Sequence, residues 1–414
     1  MERVLIVGNG YAGLQAARTL SAEQGLAVTM ASAEACPAYC PHLLPELAAG
    51  RKEAPDLFLS DFTDYGAMGI DFRPGVHVAR LSAKKRSALL SNGETVDFDK
   101  ALVATGSKAH VPENLQGILA RCGNVIAMKR MDDALALRRF LVRGASRIAV
   151  VGAGRIGVLL AEALRDLHVK VSLVEIGPEI LATMLQKDMA ARLHPALRER
   201  GHIALHTGCR VETASAEGDA AREIALSDGT RIFCDVVVLA TGVSPNVGFL
   251  EGDFRGSFGL AVDNRMETSE PGIYAAGDVV RFDTITGRED VQPLAMNARI
   301  QGEVAARNIA GGKSVCPPSF SGNIVKLGGV IAARIGDIEG DDQADFAIEK
   351  SFARVTLSGG TAVGLQLIGN PEDLRGLCVA VLKKFRTGDI RLLLQGNLDL
   401  GFAPLLASRS VAWA

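Results

Sequence analysis

Apolar positions along the first hundred residues switch between two periods. Val4-Leu5-Ile6-Val7 is a continuous apolar run, as in a strand covered on both faces, and it ends directly in Gly8-Asn9-Gly10-Tyr11-Ala12-Gly13. From Ala12 to Leu20 the residues Leu14, Ala17 and Leu20 recur at helical spacing, and Leu26 to Met30 reads as the next strand. Prolines between Pro37 and Pro45 leave room only for a loop or the start of a short helix. Val76–Leu81 and Ser87–Phe98 predict antiparallel strands, with Ser91-Asn92-Gly93 as a hairpin turn. Lys100 to Val103 is a further buried strand, running into Ala104-Thr105-Gly106.

The plan then repeats. Ile148 to Val151 leads into Gly152-Ala153-Gly154-Arg155-Ile156-Gly157, a helix is predicted from Ile156 to Leu167, and a strand from Val169 to Glu175. Ser227-Asp228-Gly229 marks a second hairpin, and Asp235–Leu239 runs into Ala240-Thr241-Gly242. This is an internal duplication, not a short-period repeat. Ile273 to Asp278 follows as a strand closing on Gly277-Asp278, and a helix is predicted over Ala295–Ile309. From about Phe320 the pattern changes to Val/Ile-rich strands and a helical Leu377–Phe385 without a fingerprint, which predicts a third domain.

One G-x-G-x-x-G turn is weak evidence. Two, each leaving an apolar strand and entering a helix, imply two dinucleotide sites, and a flavin with a nicotinamide is the natural pair. In each turn the first glycine permits the tight bend, the second lets backbone approach a pyrophosphate, and the third lets helix pack on strand. The pyrophosphate then meets the helix N-terminus.

With its two fingerprints, its two Ala-Thr-Gly segments, Gly272–Asp278 and Gln292–Gly302, the chain resembles the FAD-dependent pyridine nucleotide-disulfide oxidoreductases. Within them it is similar to ferredoxin and rubredoxin reductases, NADH oxidases and the flavin part of nitrite reductase. The resemblance implies an α/β fold with two Rossmann-like, glutathione-reductase-type three-layer ββα domains and a C-terminal α+β interface domain. FAD would occupy residues 1–112 and 243–318, NAD residues 113–242, and the interface domain residues 319–414, making a homodimer the default. It also implies hydride transfer from NADH to FAD, then single electrons to a ferredoxin or an iron–sulfur partner. An oxidase or small-disulfide reductase using a flavin-proximal cysteine is one alternative. A flavin-bearing subunit with a vestigial NAD site is another.

For FAD the expected contacts are Gly8, Asn9, Gly10, Tyr11, Ala12, Gly13, Ala104, Thr105, Gly106 and Gly277, with Asp278 at the ribityl chain or as a helix N-cap. Leu294 and Ala295 would turn a helix N-terminus toward the flavin pyrimidine. Glu34 would reach a ribose or remain a surface acid, and Val78 would contact adenine through its backbone or simply pack in the core. For NAD the expected residues are Gly152, Gly154, Arg155, Ile156, Gly157, Glu175 and Gly242. Glu175 closes its strand eighteen residues beyond Gly157, where a carboxylate binds both ribose hydroxyls and repels a 2′-phosphate, favouring NADH over NADPH. Two positions depart from many relatives: Arg155 stands for an aromatic that gates the flavin, and Leu159 for a glutamate near the nicotinamide. Arg155 either binds cofactor phosphates or is a solvated helix-start residue.

The segment Cys36–Glu46 lies where relatives place groups against the flavin. Aligned through Tyr39 and Leu44-Pro45, the redox cysteine of one branch falls on His42 and the lysine of another on Glu46, its preceding arginine on Pro41. Neither residue is present in register. Cys40, His42 and Glu46 remain the catalytic candidates: Cys40 as a displaced thiol, alone or paired with Cys36, and His42 as a proton relay or a packed loop residue.

Composition narrows the rest. The chain has 414 residues, too many for one core, and a formal net charge of −2, which gives no support to a nucleic-acid partner. Its 7 cysteines are odd in number and mostly far apart, which fits a reducing compartment rather than a disulfide framework. No metal-ligand spacing is present. The first strand begins next to Met1, no stretch reads as a signal peptide and none is long and apolar enough to span a membrane, so a cytoplasmic protein is expected. Lys383-Lys384-Phe385-Arg386 is either a docking cluster for an acidic carrier or a solvated helix face. Leu400 to Pro404 matches relatives loosely, with Phe402 where a tyrosine is common.

Overall fold

The computed structural model describes residues 1–198, 202–256, 258–348, 350–370 and Val381. Its first sheet is parallel, in the order Ile273–Ala275, Lys100–Val103, Glu2–Val7, Leu26–Ser32 and Asp71–Pro74. The central strand is covered on both faces, and for that reason its apolar run shows no alternation: Leu5 and Ile6 are wholly buried. The helices Tyr11–Leu20 and Ala295–Ile309 form the helical layer. The meander Val78–Ser82, Ser87–Leu90 and Thr95–Asp97 adds Leu81, Ala88 and Leu90 to the same core, completing the expected three-layer ββα arrangement. The two helices touch backbone to backbone. A Cβ on Gly302 would stand 2.4 Å from the Ala12 carbonyl oxygen.

A second parallel sheet repeats this plan with Ile203–Thr207, Lys170–Glu175, Arg147–Val151, Val236–Leu239 and Val125–Ala127. Its meander is Val211–Glu217, Ala220–Leu226 and Arg231–Phe233. Every strand of this sheet falls between Lys100–Val103 and Ile273–Ala275 in the chain. The passage out and back is an antiparallel pair, Ser107–Ala109 against Val243–Pro245.

The third sheet is antiparallel, ordered Gly322–Leu327, Val330–Gly336, Thr361–Gly369, Ser351–Ser358 and Asp342–Ile348. Val325, Leu327 and Ala332 enter the core of the second unit. A buried arginine ties the two together. Arg354 makes a bidentate pair with Asp345 at 2.7 and 2.7 Å and donates to Asp188, on the helix Lys187–Ala191, at 2.7 Å.

Two expectations shift and a third is decided between its alternatives. The helix expected to reach Leu167 is α-helical only over Arg155–Ala163 and tightens into a 3-10 turn at Leu164–Asp166, where the Leu167 N–H bonds Leu164. The strand expected from Val76 begins at Val78 and extends to Ser82. The proline-rich loop holds a 3-10 turn, Pro41–Leu43, and a short helix, Leu44–Ala48, whose early Pro45 falls where no N–H is needed. The segments Leu377–Phe385 and Leu400–Pro404, with the Lys383 cluster, lie outside the described residues apart from Val381.

Candidate functional site: two dinucleotide cradles and the groups between them

The two fingerprints build the same backbone cradle. A Cβ on Gly8 would stand 2.3 Å from the Ala104 oxygen, and one on Gly152 would stand 2.4 Å from the Ala240 oxygen. A Cβ on Gly13 would meet the Gly8 oxygen at 2.0 Å, and one on Gly157 the Gly152 oxygen at 1.9 Å. Gly10 and Gly154 are the opposite case, with nothing within 4 Å, because they face the open side of the turn. Neither following helix has a side-chain cap, so its first N–H groups and positive dipole end are free for an anion.

The first cradle carries a further mark of a site built for a polar ligand. The Asn9 amide oxygen accepts from the Tyr65 hydroxyl at 2.9 Å, while its Nδ2 is buried with no partner. Leaving that donor unmet is costly, so the residues present fit a polar dinucleotide. Ala104 N–H bonds the Val7 oxygen at 2.8 Å, and the Thr105 hydroxyl donates to the Asn246 carbonyl at 2.8 Å; Gly106 holds a left-handed turn (φ 61°). Gly277 N–H donates to buried Gln301 at 2.8 Å. Asp278 begins a turn before the strand Val280–Asp283, so the helix N-cap reading is corrected. Its Oδ2 accepts from the Ser107 hydroxyl at 3.1 Å, which in turn accepts from Lys129 Nζ at 2.9 Å.

Nothing in the local sequence pattern marks Lys129. It stands just before the helix Met131–Val142, where the Asp133 carboxylate accepts from the Lys129 and Arg130 N–H groups at 3.0 and 2.7 Å. Burial pushes its ammonium down from the ordinary value, and nearby Asp278 opposes this.

Leu294 is the extended residue before the helix that Ala295 opens, as expected. Val78 is buried in the core and pairs with Leu90. Glu34 is not a solvated surface acid. Both its oxygens accept from the Tyr39 hydroxyl, at 3.1 and 3.0 Å, and one from the Met131 N–H at 3.2 Å. Burial holds its carboxyl above the usual range. Its contacts pin the Pro37–Pro45 loop to the helix Met131–Val142.

Of the three catalytic candidates, the structure brings two together. Cys40 Sγ accepts from the fingerprint hydroxyl of Tyr11 at 3.0 Å and lies 3.0 Å from His42 Nδ1. The Arg299 guanidinium stands over the Tyr11 ring, 4.9 Å from its centroid. Burial raises the Cys40 thiol, with the Tyr11 contact opposing. It also lowers His42, helped by the charge of Arg155. Glu46 is placed apart from them: it pairs with Arg51 at 3.5 Å, and Arg51 reaches Asp166 at 2.8 Å. Cys36 is free, as is Cys40, and burial pushes the Cys36 thiol up to about 12.

In the second cradle Glu175 stands where the spacing predicts. Its two oxygens accept from Ala153 N–H and Gly177 N–H, each at 2.7 Å. Gly242 accepts from His110 N–H at 2.9 Å, and Ile156 packs against the core of this unit, as does Leu159. Arg155 is not a solvated helix start. It is partly buried, donates to Asn323 on the third sheet, and burial lowers its guanidinium while Asp278 opposes.

Two repeated dinucleotide cradles on parallel sheets, joined through the antiparallel pair Ser107–Ala109 and Val243–Pro245, define a two-nucleotide redox flavoprotein. The chain belongs to the pyridine nucleotide-disulphide oxidoreductase family, whose model matches residues 2–302. It is accordingly an FAD-dependent NAD(P)H oxidoreductase. Among relatives, the NADH oxidase of Methanocaldococcus jannaschii is 27% identical over 97% of this chain and 95% of its own length. The ferredoxin–NAD(+) reductase subunit of the benzene 1,2-dioxygenase system of Pseudomonas putida is 30% identical over 82% of each chain. Putidaredoxin reductase, solved in covalent complex with putidaredoxin, shares the fold with a TM-score of 0.86 at 21% identity, over 96% of this chain and 99% of that one. Among the described residues no helix is long and apolar enough to cross a membrane, and no cluster of His, Cys, Asp and Glu is placed to hold a metal ion.

Proposed function

We propose that residues 1–112 with 243–318 bind FAD, that residues 113–242 bind NADH, and that 319–414 form a homodimer interface in a cytoplasmic enzyme. The observation that carries this reading is the duplicated cradle, with matching glycine contacts in both units and an orphaned Asn9 amide in the first. When bound, FAD supplies the exchange between hydride transfer and one-electron transfer.

The chain's own residues bind and orient. Asn9, Gly10 and the N–H groups after it hold the first pyrophosphate, Asp278 with Ser107 and Lys129 holds the polar chain beside it, and Ala295 turns a helix N-terminus toward the ring. Glu175 selects NADH, because a 2′-phosphate would meet its carboxylate. Electrons then leave to a ferredoxin or another iron–sulfur partner, a reading supported by the relatives named as ferredoxin reductases. Anaerobic stopped-flow mixing with NADH tests it: rapid bleaching of the flavin absorbance is expected, and a flavin that stays oxidised would overturn it.

The contact of Cys40 with Tyr11 and His42 favours a second reading, in which Cys40 passes electrons to oxygen, peroxide or a small disulfide. Burial that keeps this thiol protonated weighs against it. Under the first reading a Cys40→Ser variant keeps its turnover with an iron–sulfur acceptor. A loss of turnover, with one further thiol titrating after NADH reduction, selects the second.

A further inference from the structure

Arg155 is a second-cradle residue whose side chain leaves the second cradle. It starts the helix Arg155–Ala163, where an outward side chain would meet the nucleotide phosphates, yet its guanidinium donates to Asn323 on the strand Gly322–Leu327 of the third sheet. Asn323 lies three residues beyond Phe320, whose carbonyl and N–H bond the Asn297 amide in the first turn of the helix Ala295–Ile309 at 2.8 and 2.9 Å, so the guanidinium ends beside the helix start that faces the first cradle, within the field of Asp278. Its hydrogen-bond partner is a neutral amide. Lys129 is likewise bonded to a neutral hydroxyl, and neither cation makes an ion pair with a carboxylate among the described residues. Two partly buried cations thus share the field of Asp278, while Glu34 is engaged by Tyr39 and Met131. A withdrawn cation without a carboxylate partner is costly unless an anion approaches it.

We propose that Arg155, held by Asn323 and backed by Lys129, is the charge this enzyme sets against its reduced flavin, and that it is not a ligand of the nicotinamide nucleotide's phosphates. The proposal rests on FAD occupying the first cradle. A hydride brings two electrons and one proton to the neutral oxidised ring, which therefore gains one negative charge. A nearby fixed cation stabilises that product more than the reactant, so it raises the flavin potential and draws the hydride from NADH.

The test uses FAD-loaded full-length protein and measures the two-electron flavin midpoint by dye equilibration with a chemical reductant, so NADH plays no part in it. Arg155→Met is expected to lower the reduced-to-oxidised ratio at a fixed potential at least tenfold, about 30 mV for a two-electron couple. Arg155→Lys, which keeps the charge, is expected to stay within threefold of the parent. Asn323→Leu, which releases the guanidinium, moves the ratio in the same direction by a smaller factor and serves if the methionine variant does not hold flavin. NAD⁺ affinity of the oxidised protein is expected to change less than threefold in all three. A midpoint unmoved in both Arg155→Met and Asn323→Leu overturns the proposal, as does a tenfold loss of NAD⁺ affinity without a midpoint shift. Failure of the underlying reading looks different: the parent protein itself would then bind no FAD in stoichiometric amount.

Discussion

The two dinucleotide units are close copies in backbone and distinct in side chains. Each has the first fingerprint glycine jammed against the carbonyl of an Ala-Thr-Gly segment, at 2.3 Å in one and 2.4 Å in the other for a hypothetical Cβ. Each also locks its central strand with an arginine–aspartate clasp. The Arg3 N–H donates to Asp99 at 2.7 Å, and the Arg147 N–H to Asp235 at 2.9 Å. The units part at the first residue of the helix. Tyr11 turns to Cys40 on the Pro37–Pro45 loop, whereas Arg155 crosses to the third sheet. The cradle is thus a backbone property that both units share, while the side chains that follow it are free to differ.

Breaking one cradle at a time gives the largest effect. Gly8→Ala places a Cβ against a backbone oxygen that cannot move without the sheet, costing about 3 kcal/mol. The expected product lacks flavin but still binds NADH, seen by nucleotide fluorescence. Gly152→Ala should show the reverse, with bound flavin that dithionite reduces and NADH does not. If either substitution abolishes both activities, the cradles are not independent.

A smaller effect separates the ribose ends. Glu175→Gln keeps a hydrogen-bond acceptor for Ala153 or Gly177 but removes the charge, and the preference for NADH over NADPH, as a ratio of kcat/KM values, should fall about tenfold, or about 1.4 kcal/mol. An unchanged ratio would show that Glu175 only braces the turn. Glu34→Gln in the other unit should leave that ratio alone, because Glu34 is engaged by Tyr39 and Met131.

The smallest effect compares the clasps. The Arg147 guanidinium and the Ser146 and Arg147 N–H groups hold Asp235 down to about 2, and the Arg3 side chain does the same for Asp99, also to about 2. A carboxyl depressed in the folded state contributes stability that is complete above its unfolded value, about 3.9, and lost as pH falls toward 2. Asp235→Asn should therefore weaken the protein by about 1 kcal/mol at pH 7 and flatten its acid sensitivity between pH 4 and 2, read by urea titration. Asp99→Asn should do less, because that side chain is 42% exposed against 23% for Asp235. Equal effects would mean that burial does not distinguish the clasps.

Much of this was legible from residue order. The strands flanking each fingerprint, the hairpins at Ser91–Gly93 and Ser227–Gly229 and the helix Ala295–Ile309 are local, periodic and bounded by turn residues, so pattern suffices. The Glu175 position followed from strand length alone. Lys129, Ser107, Gln301 and Asn323 were not legible, since each acts through a partner far away in the chain. Glu46 drew attention through alignment with a catalytic lysine, but its neighbour in space is Arg51. Asp278 suggested a helix cap because aspartate is a favoured N-cap residue, although a strand follows.

The sequence by itself determined the duplicated strand–glycine–helix plan, and with it the two-nucleotide class, because tight turns and periodic burial are rules about adjacent residues. Tertiary structure alone decided which charges meet. Arg155 meets Asn323 on the third sheet in the field of Asp278, and Cys40 meets Tyr11 rather than Cys36, because the direction of a side chain depends on the units packed around it.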